Sequence, residues 1–285
     1  MGASLDAARA DRVGIRMIRT AVDEVLPHRA GAFRLSFLGS PVDSLSIDEA
    51  LLRLQEFIRS RSPHLVVAFN VPKLWRIQGD IRLRKIVESA DLILPEQVIT
   101  LASRLCGTPL KAYIGNDNLT RSFLPLAAKQ GFRLFFLGTH PSRLSDMVAR
   151  LHQEHPGITI CGSHHGYFTE SESEEVAAHI RSCRPDVLFV GMGTPKQEYW
   201  MGTYGRALDV PVVIGVGGTL DVLAGTKLVC PNWVRTVGME WVFRILEEPR
   251  GKLRRYFVAL PWFVRTLLVK GVLPYWFRTR NVTEN

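Results

Sequence analysis

Two polar side chains that could take part in catalysis stand at the ends of apolar runs. Glu96 follows the run ADLIL and Pro95, and Asn70 ends the run HLVVAFN. Because the carboxyl ends of parallel strands meet at one edge of a sheet, we expect both side chains at that edge. A carboxylate there can accept a proton from a substrate hydroxyl, although many such carboxylates only cap a helix or pair with a cation. The sequence therefore predicts Glu96 and Asn70 as catalytic candidates.

A glycine turn followed by polar residues begins at Val190, in the stretch VGMGTPKQEYWM. Its glycines allow the backbone to approach a ligand closely, and its proline suits the first turn of a helix. Free amides at a helix N-terminus attract phosphate, although such a turn can also serve only to cap the helix. The stretch predicts contacts with a phosphate or with the polar edge of a nucleotide, made by Gly191, Gly193, Thr194, Pro195, Lys196, Gln197 and Glu198.

Two further strand ends carry small or polar residues on the same predicted rim. The stretch YIGNDN contains Gly115, Asn116 and Asp117, and the stretch FFLGTHP contains Gly138 and Thr139. We expect these residues to contact the same ligand. The standard nucleotide loops are excluded, because no third glycine follows at the dinucleotide spacing and no GxxxxGK[ST] sequence is present.

Short β-rich runs alternate with longer segments of helical pattern along most of the chain. This alternation predicts an α/β fold, with a mostly parallel sheet flanked by helices in a Rossmann-like sandwich. We assign residues 33–217 to this core, residues 1–32 to an N-terminal extension that could form an amphipathic helix, and residues 218–285 to a C-terminal appendage.

The appendage is basic and aromatic. The chain has a formal net charge of +9, and residues 250–285 contain eight Lys and Arg residues against one Glu. Because Arg265 and Lys270 would fall near the middle of any span, we expect a segment that lies on an anionic membrane surface rather than crossing it. A helix docked on the core with a basic outer face is the alternative. Nucleic-acid binding is disfavoured, since the cations are interleaved with a nearly continuous apolar set.

The four cysteines stand far apart and form no metal-ligand spacing. We expect buried thiols in a reducing cytoplasm, with no metal and no cofactor. Charged residues such as Asp6, Arg9 and Asp11 interrupt the N-terminal stretch, so it lacks the continuous apolar segment of a secretory signal and no such signal is predicted.

From Leu35 to Tyr256 the order of these motifs resembles the WecG/TagA/CpsF glycosyltransferases of glycosyltransferase family 26, which build bacterial surface polysaccharides. The matching region covers about three quarters of the chain. The resemblance rests on Asn70 and on the blocks ADLILPE, ASRLCGTPL, FFLGTHP, HHGYF, VGMGTPKQEYW, GVGGTLDVLAG and PNWVRTVGMEWVFRILEEPRGKLRRY.

The resemblance implies inverting, metal-independent transfer of a sugar from a UDP-sugar to an undecaprenyl-diphosphate-linked acceptor. The best-characterised donors in the family carry N-acetylmannosamine or its uronic acid. Glu96 matches the position of the proposed base. Gly217 and Asp221, in the block GVGGTLDVLAG, are substrate-binding candidates; Asp221 matches an Asp of the family, although a helix or turn cap explains it equally well. Arg244, Arg254 and Arg255 are candidates for binding the leaving diphosphate, if they are not simply solvated or lipid-facing. The implied location is peripheral, on the inner face of the cytoplasmic membrane.

Five positions, in three stretches, depart from the family pattern. Glu96 and Gln97 replace Asp and Gly, Ala68 stands where Thr is frequent, and Leu228 and Val229 stand where basic residues are common. A catalytically weakened nucleotide-sugar binding or scaffold protein is therefore the alternative function. The donor sugar, the acceptor sugar and the linkage are left open, and exposed apolar surface on the tail could also support a homo-oligomer.

Overall fold

The computed structural model describes residues 26–28 and 32–275. The predicted extension, residues 1–32, lies outside them except for one short strand and Ala32. The end of the tail, including Trp276 and Phe277, lies outside them as well.

A six-stranded parallel sheet forms the centre of the molecule. Its strand order is β5-β4-β9-β8-β6-β7, and every neighbouring pair is parallel. The prediction of a mostly parallel, Rossmann-like sheet is confirmed. The strands are β4 His64–Phe69, β5 Leu92–Pro95, β6 Arg133–Gly138, β7 Thr159–His164, β8 Val187–Gly191 and β9 Val212–Gly215.

Helices cover both faces of this sheet. Alternate residues of a strand point to opposite faces, so Leu65 and Val67 of β4 enter one hydrophobic cluster while Val66 enters the other. The helices that pack on the sheet are α1 Ile47–Ser60, α2 Val71–Arg76, α3 Ile81–Glu88, α4 Gln97–Leu105, α5 Asn116–Gln130, α6 Pro141–Glu154, α7 Ser173–Cys183, α8 Lys196–Tyr204 and α9 Thr219–Leu223. The last of them, α9, lies within the predicted appendage, residues 218–285, but buries Leu220 and Leu223 in the core.

A second, antiparallel sheet stands beside the main one. It contains β1 Leu26–His28, β2 Ala32–Phe37 and β3 Ser40–Asp43. Leu38 and Gly39 both have positive φ and turn the chain back, so the run FRLSFLGSPV forms a hairpin instead of joining the parallel sheet. The Asp43 carboxylate accepts hydrogen bonds from Arg34 at 2.8 Å and from the Ile93 amide at 2.6 Å, which ties the hairpin to β5.

The C-terminal appendage is helical and packs back on the core. It contains α10 Asn232–Thr236, α11 Glu240–Glu247, α12 Pro249–Thr266 and a π-helix at Leu267–Val272. α12 contacts α2 and buries Ala259 and Phe263 in a core cluster. The continuous helix Pro249–Tyr275 has the length and composition to cross a membrane, and 17% of its most apolar window is buried. The expectation that it lies on a membrane surface stays a prediction.

Candidate active site

A cavity of about 900 Å³ opens between the carboxyl edge of the sheet and the appendage. Residues that follow β4, β5, β8 and β9 form one side, and helices α11 and α12 form the other. The sheet edge is where open α/β folds bind their ligands, because the loops there leave a crevice. The predicted site residues that line the cavity are Asn70, Glu96, Gly115, Asn116, Asp117, Gly193, Thr194, Pro195, Gln197, Gly217, Arg254 and Arg255.

Glu96 and Asn70 are in contact on the cavity wall. Asn70 caps α2, because its Oδ1 accepts from the Lys73 amide at 3.0 Å, and its Nδ2 donates to Glu96 Oε1 at 3.1 Å. Glu96 precedes α4 but its side chain does not cap that helix, and in the described part of the chain it forms no ion pair. Its carboxylate is therefore oriented by one neighbour and left available to a ligand.

The surroundings of Glu96 favour its protonated form. Burial raises the pKa of this carboxyl above its usual value, and the charge of Glu240 adds to that rise. The hydrogen bond from Asn70 and the charge of Lys73 act in the opposite direction without cancelling it. A carboxylate with a raised pKa is a stronger acceptor for a proton near neutral pH, which suits a general base.

The Lys-Gln-Glu run of the glycine turn serves three different purposes. Glu198 is 0% exposed and pairs with Lys73, whose Nζ lies 2.8 Å from Glu198 Oε1. Lys196 turns away from the cavity and donates to the carbonyl of Gly166 at 2.9 Å. Gln197 lines the cavity and accepts from the Gly217 amide at 3.1 Å, so it joins the two glycine turns.

The Glu198 charge is stabilised inside the protein. Burial alone would raise the pKa of this carboxyl, but the charge and hydrogen bond of Lys73 lower it below the usual value. The Thr194 hydroxyl at 3.1 Å and the Gln197 amide at 2.9 Å also donate to the same oxygen. The pair therefore holds α2, which carries Asn70 at its start, against α8.

Another group of predicted residues stands at a neighbouring strand end and does not line this cavity. Gly138 has φ of 147°, and a side chain there would meet the backbone of Gly191 at 2.5 Å, so the two glycines allow β6 and β8 to approach. Thr139 donates to the Asp221 carboxylate at 2.5 Å, and Lys227 contacts the same carboxylate at 2.9 Å. The hydrogen bond from Thr139 and the charge of Lys227 lower the pKa of Asp221 despite the opposing effect of burial.

Cations line the appendage side of the cavity. Three arginines of α12, Arg250, Arg254 and Arg255, have no carboxylate within ion-pair distance among residues 26–28 and 32–275. Arg76, at the end of α2 on the core side of the cavity, likewise has none among these residues. Arg244 is different, because Glu247 at 3.1 Å and the Leu228 carbonyl at 2.9 Å already occupy its guanidinium. The unpaired set provides positive charge that a bound diphosphate could neutralise.

A polar joint fastens the appendage to the core. The Gln97 side chain donates to the Arg235 carbonyl at 2.8 Å and accepts from the Glu240 amide at 2.9 Å, so it bridges α10 and α11. Arg235 also contacts Asp117 at 2.5 Å, and Tyr113 donates to Glu240 at 2.6 Å. The joint begins one residue after Glu96, and it therefore fixes the distance between that carboxylate and the appendage wall.

A family model described as the glycosyl transferase WecG/TagA/CpsF family matches residues 35–275. The chain belongs to this family. The predicted resemblance is confirmed, and the match includes both the core and the described appendage helices.

Relatives in the WecG/TagA/CpsF family are about 30% identical to this chain in the aligned regions. A protein of Bacillus spizizenii is 32% identical over 188 residues, which are 66% of this chain and 72% of the relative. A protein of Staphylococcus aureus is 28% identical over 223 residues, which are 77% of this chain and 87% of the relative. Each is named N-acetylglucosaminyldiphosphoundecaprenol N-acetyl-beta-D-mannosaminyltransferase.

Several cavity residues of this family member escaped the sequence analysis. Lys73 and Tyr113 interact with partners more than a hundred residues away, so no local pattern indicates them. Trp241 and Tyr256 belong to the appendage, in which the sequence predicts Gly and Asp residues and arginines, but no aromatic residue, as site candidates. The signal that could have found them was the position of both within the family block that ends at Tyr256.

Removing the Gln97 bridge is expected to loosen the appendage. Gln97→Met keeps the length of the side chain but removes both hydrogen bonds, and it leaves the Glu240 amide without this acceptor. We expect the free energy of unfolding to fall by about 2 kcal/mol. Faster hydrogen exchange at residues 232–247 should accompany that loss.

The matched control is Gln55→Met on α1, where the glutamine makes only a 3.4 Å hydrogen bond within its own helix. Urea denaturation and hydrogen exchange of both variants measure the difference. Equal stability and equal exchange in the two variants would show that the bridge does not hold the appendage.

Proposed function

We propose that the protein transfers a sugar of the N-acetylmannosamine type from a UDP-sugar to an undecaprenyl-diphosphate-linked acceptor, with inversion and without a metal ion. The observation that carries this proposal is the Glu96 carboxylate: it is oriented by Asn70, has a raised pKa and lines the same cavity as the appendage arginines Arg254 and Arg255. Family membership and the names of the relatives support the choice of donor and acceptor.

The reaction follows as a single displacement. Glu96 accepts the proton of the acceptor hydroxyl as that oxygen forms a bond to the anomeric carbon of the donor sugar. The bond from this carbon to the diphosphate breaks on the opposite side, and UDP leaves with the bonding electrons. Attack from the side opposite the leaving group inverts the anomeric configuration.

The leaving diphosphate needs positive charge and hydrogen-bond donors. Arg254 and Arg255 line the cavity, and no carboxylate of the described residues pairs with them. The turn at Gly193 and the turn at Gly217 line the same space. Guanidinium groups and backbone amides can stabilise the developing charge. Metal independence is part of the proposal for this reason.

The appendage is proposed to rest on the inner face of the cytoplasmic membrane. Its helix α12 presents Leu253 at 54% exposure and Phe257 at 77%, next to Arg254 and Arg255. Exposed apolar side chains beside cations suit an anionic lipid surface, from which the acceptor would reach the cavity. In this proposal residues 33–217 form the catalytic core and residues 218–285 form the membrane-facing part.

Calorimetric titration with UDP and a panel of UDP-sugars in EDTA tests the donor site. We expect binding that survives the chelator and differs by about tenfold or more between sugars. Binding followed by no transfer to a lipid-linked acceptor would instead favour the nucleotide-sugar binding or scaffold function. Binding that disappears in EDTA would contradict the metal-independent mechanism.

A further inference from the structure

Two aromatic side chains of the appendage form a wall of the cavity, and the proposed reaction gives them no role. They are Trp241 on α11 and Tyr256 on α12. Their ring centroids lie 5.9 Å apart with an angle of 30° between the planes. Both side chains are half-buried, so part of their surface remains available inside the cavity.

The Tyr256 hydroxyl has no partner in the described part of the chain. The hydroxyl donates no hydrogen bond to these residues, and its oxygen is not one of the buried polar atoms that lack a partner. Tyr113 lines the same cavity but donates to Glu240 at 2.6 Å. Tyr256 is therefore the cavity tyrosine whose hydroxyl is open to a ligand.

Tyr256 lies close enough to the proposed base to sense its charge. Burial raises the pKa of the Tyr256 hydroxyl, and the carboxylates of Glu96 and Glu240 raise it further. The hydroxyl consequently keeps its proton at neutral pH and acts as a hydrogen-bond donor. Because Glu96 and Tyr256 line the same cavity, one ligand can contact both side chains.

We infer that Tyr256 and Trp241 form the subsite for the acceptor sugar, with Tyr256 donating a hydrogen bond beside the hydroxyl that Glu96 deprotonates. The inference rests on the proposed function. An aromatic wall can hold the apolar face of a pyranose ring, while a few polar groups fix its orientation.

The position of the wall favours the acceptor over the donor. Tyr256 follows Arg254 and Arg255 directly and precedes Phe257, whose side chain is 77% exposed. A lipid-linked sugar diphosphate carries an apolar chain, two phosphates and a sugar. On α12, Phe257 offers an exposed apolar contact, Arg254 and Arg255 offer positive charge, and Tyr256 offers an aromatic ring, so one helix provides a contact for each of these three parts.

Tyr256→Phe tests the inference, because it keeps the ring against Trp241 and removes only the hydroxyl. With a soluble N-acetylglucosaminyl-diphosphate-lipid analogue as acceptor, we expect kcat/KM for the acceptor to fall about tenfold. The Kd of the UDP-sugar, measured by calorimetry, should stay within twofold. A role in packing alone would not separate acceptor from donor in this way.

The chain provides a matched control in Tyr204→Phe. Tyr204 is half-buried and packs on Trp200 with centroids 5.3 Å apart and a 34° angle, but neither ring lines the cavity. We expect this variant to keep both constants. Equal kcat/KM for the acceptor in Tyr256→Phe and wild type, or a matching loss of UDP-sugar affinity, overturns the inference alone. A wild-type protein without transfer overturns the proposed function and this inference together.

Discussion

Glu96→Gln is expected to lower the rate constant for sugar transfer by about a thousandfold. Glutamine keeps the shape of the side chain and can still contact Asn70, but it cannot take a proton from the acceptor hydroxyl. Proton transfer by a positioned side chain contributes about 10²- to 10⁴-fold to enzymatic rates. The affinity for UDP should remain, because UDP does not need the carboxylate.

Two further variants sharpen this test. Glu96→Asp keeps a carboxylate but withdraws it by one methylene, so we expect activity between those of wild type and Glu96→Gln. Glu88→Gln on the exposed surface of α3 controls for the loss of one negative charge. Transfer by Glu96→Gln within threefold of the wild-type rate would exclude Glu96 as the base.

The same residue sets an expectation for pH. The reaction needs ionised Glu96, and burial raises the pKa of this carboxyl above the ordinary value of 4.5. Activity should therefore fall on the acid side through an apparent pKa above 4.5. Glu96→Gln should lack this acid limb in whatever activity remains.

Lys73→Met is expected to destabilise the protein by about 3 to 5 kcal/mol. The substitution leaves the Glu198 carboxylate, which is 0% exposed, without its cation. Breaking a buried pair is this costly because an uncompensated charge stays in the interior. Urea denaturation at neutral pH measures the loss.

Lys111→Met is the control for Lys73→Met. Lys111 forms a 2.7 Å ion pair with Glu49, but its side chain is 52% exposed, so we expect a loss of less than about 1 kcal/mol. Glu198→Gln in the Lys73→Met background should recover part of the stability, since it removes the unpaired charge. Equal losses in the two lysine variants would contradict the importance of the buried pair.

Acid provides an independent measure of the buried pair. The pKa of Glu198 is lowered from 4.5 in the folded protein, so its ionisation stabilises the fold above about pH 4.5. That contribution is lost as the pH falls from 4.5 through the lowered value. Lys73→Met should lose this part of the pH dependence of unfolding.

The sequence carries enough information for the sheet and for the central contact of the site. Alternating apolar runs predict parallel strands, and parallel strands place Asn70 and Glu96 at one edge, where they meet at 3.1 Å. This inference needs only the period of the pattern and the geometry of a sheet. It does not need the identity of any distant partner.

Other features depend on distant contacts that local patterns do not show. Glu198 belongs to a run that predicts ligand contacts, yet its partner is Lys73, on a helix 125 residues earlier. In the sequence, Gln97 is only a residue that departs from the family pattern. Its role as a bridge depends on hydrogen bonds to α10 and α11, which lie far away along the chain. Tyr256 becomes a candidate site residue only because α12 packs against α2 and places its ring in the wall of the cavity that Glu96 also lines.

The most direct test of the central claim is the anomeric configuration of the product, measured by NMR. The reaction would contain UDP-N-acetylmannosamine, a soluble N-acetylglucosaminyl-diphosphate-lipid analogue, the wild-type protein and EDTA. The proposed mechanism predicts a single disaccharide product whose anomeric configuration is opposite to that of the donor. A product with retained configuration, or product formation that requires a metal ion, would contradict it.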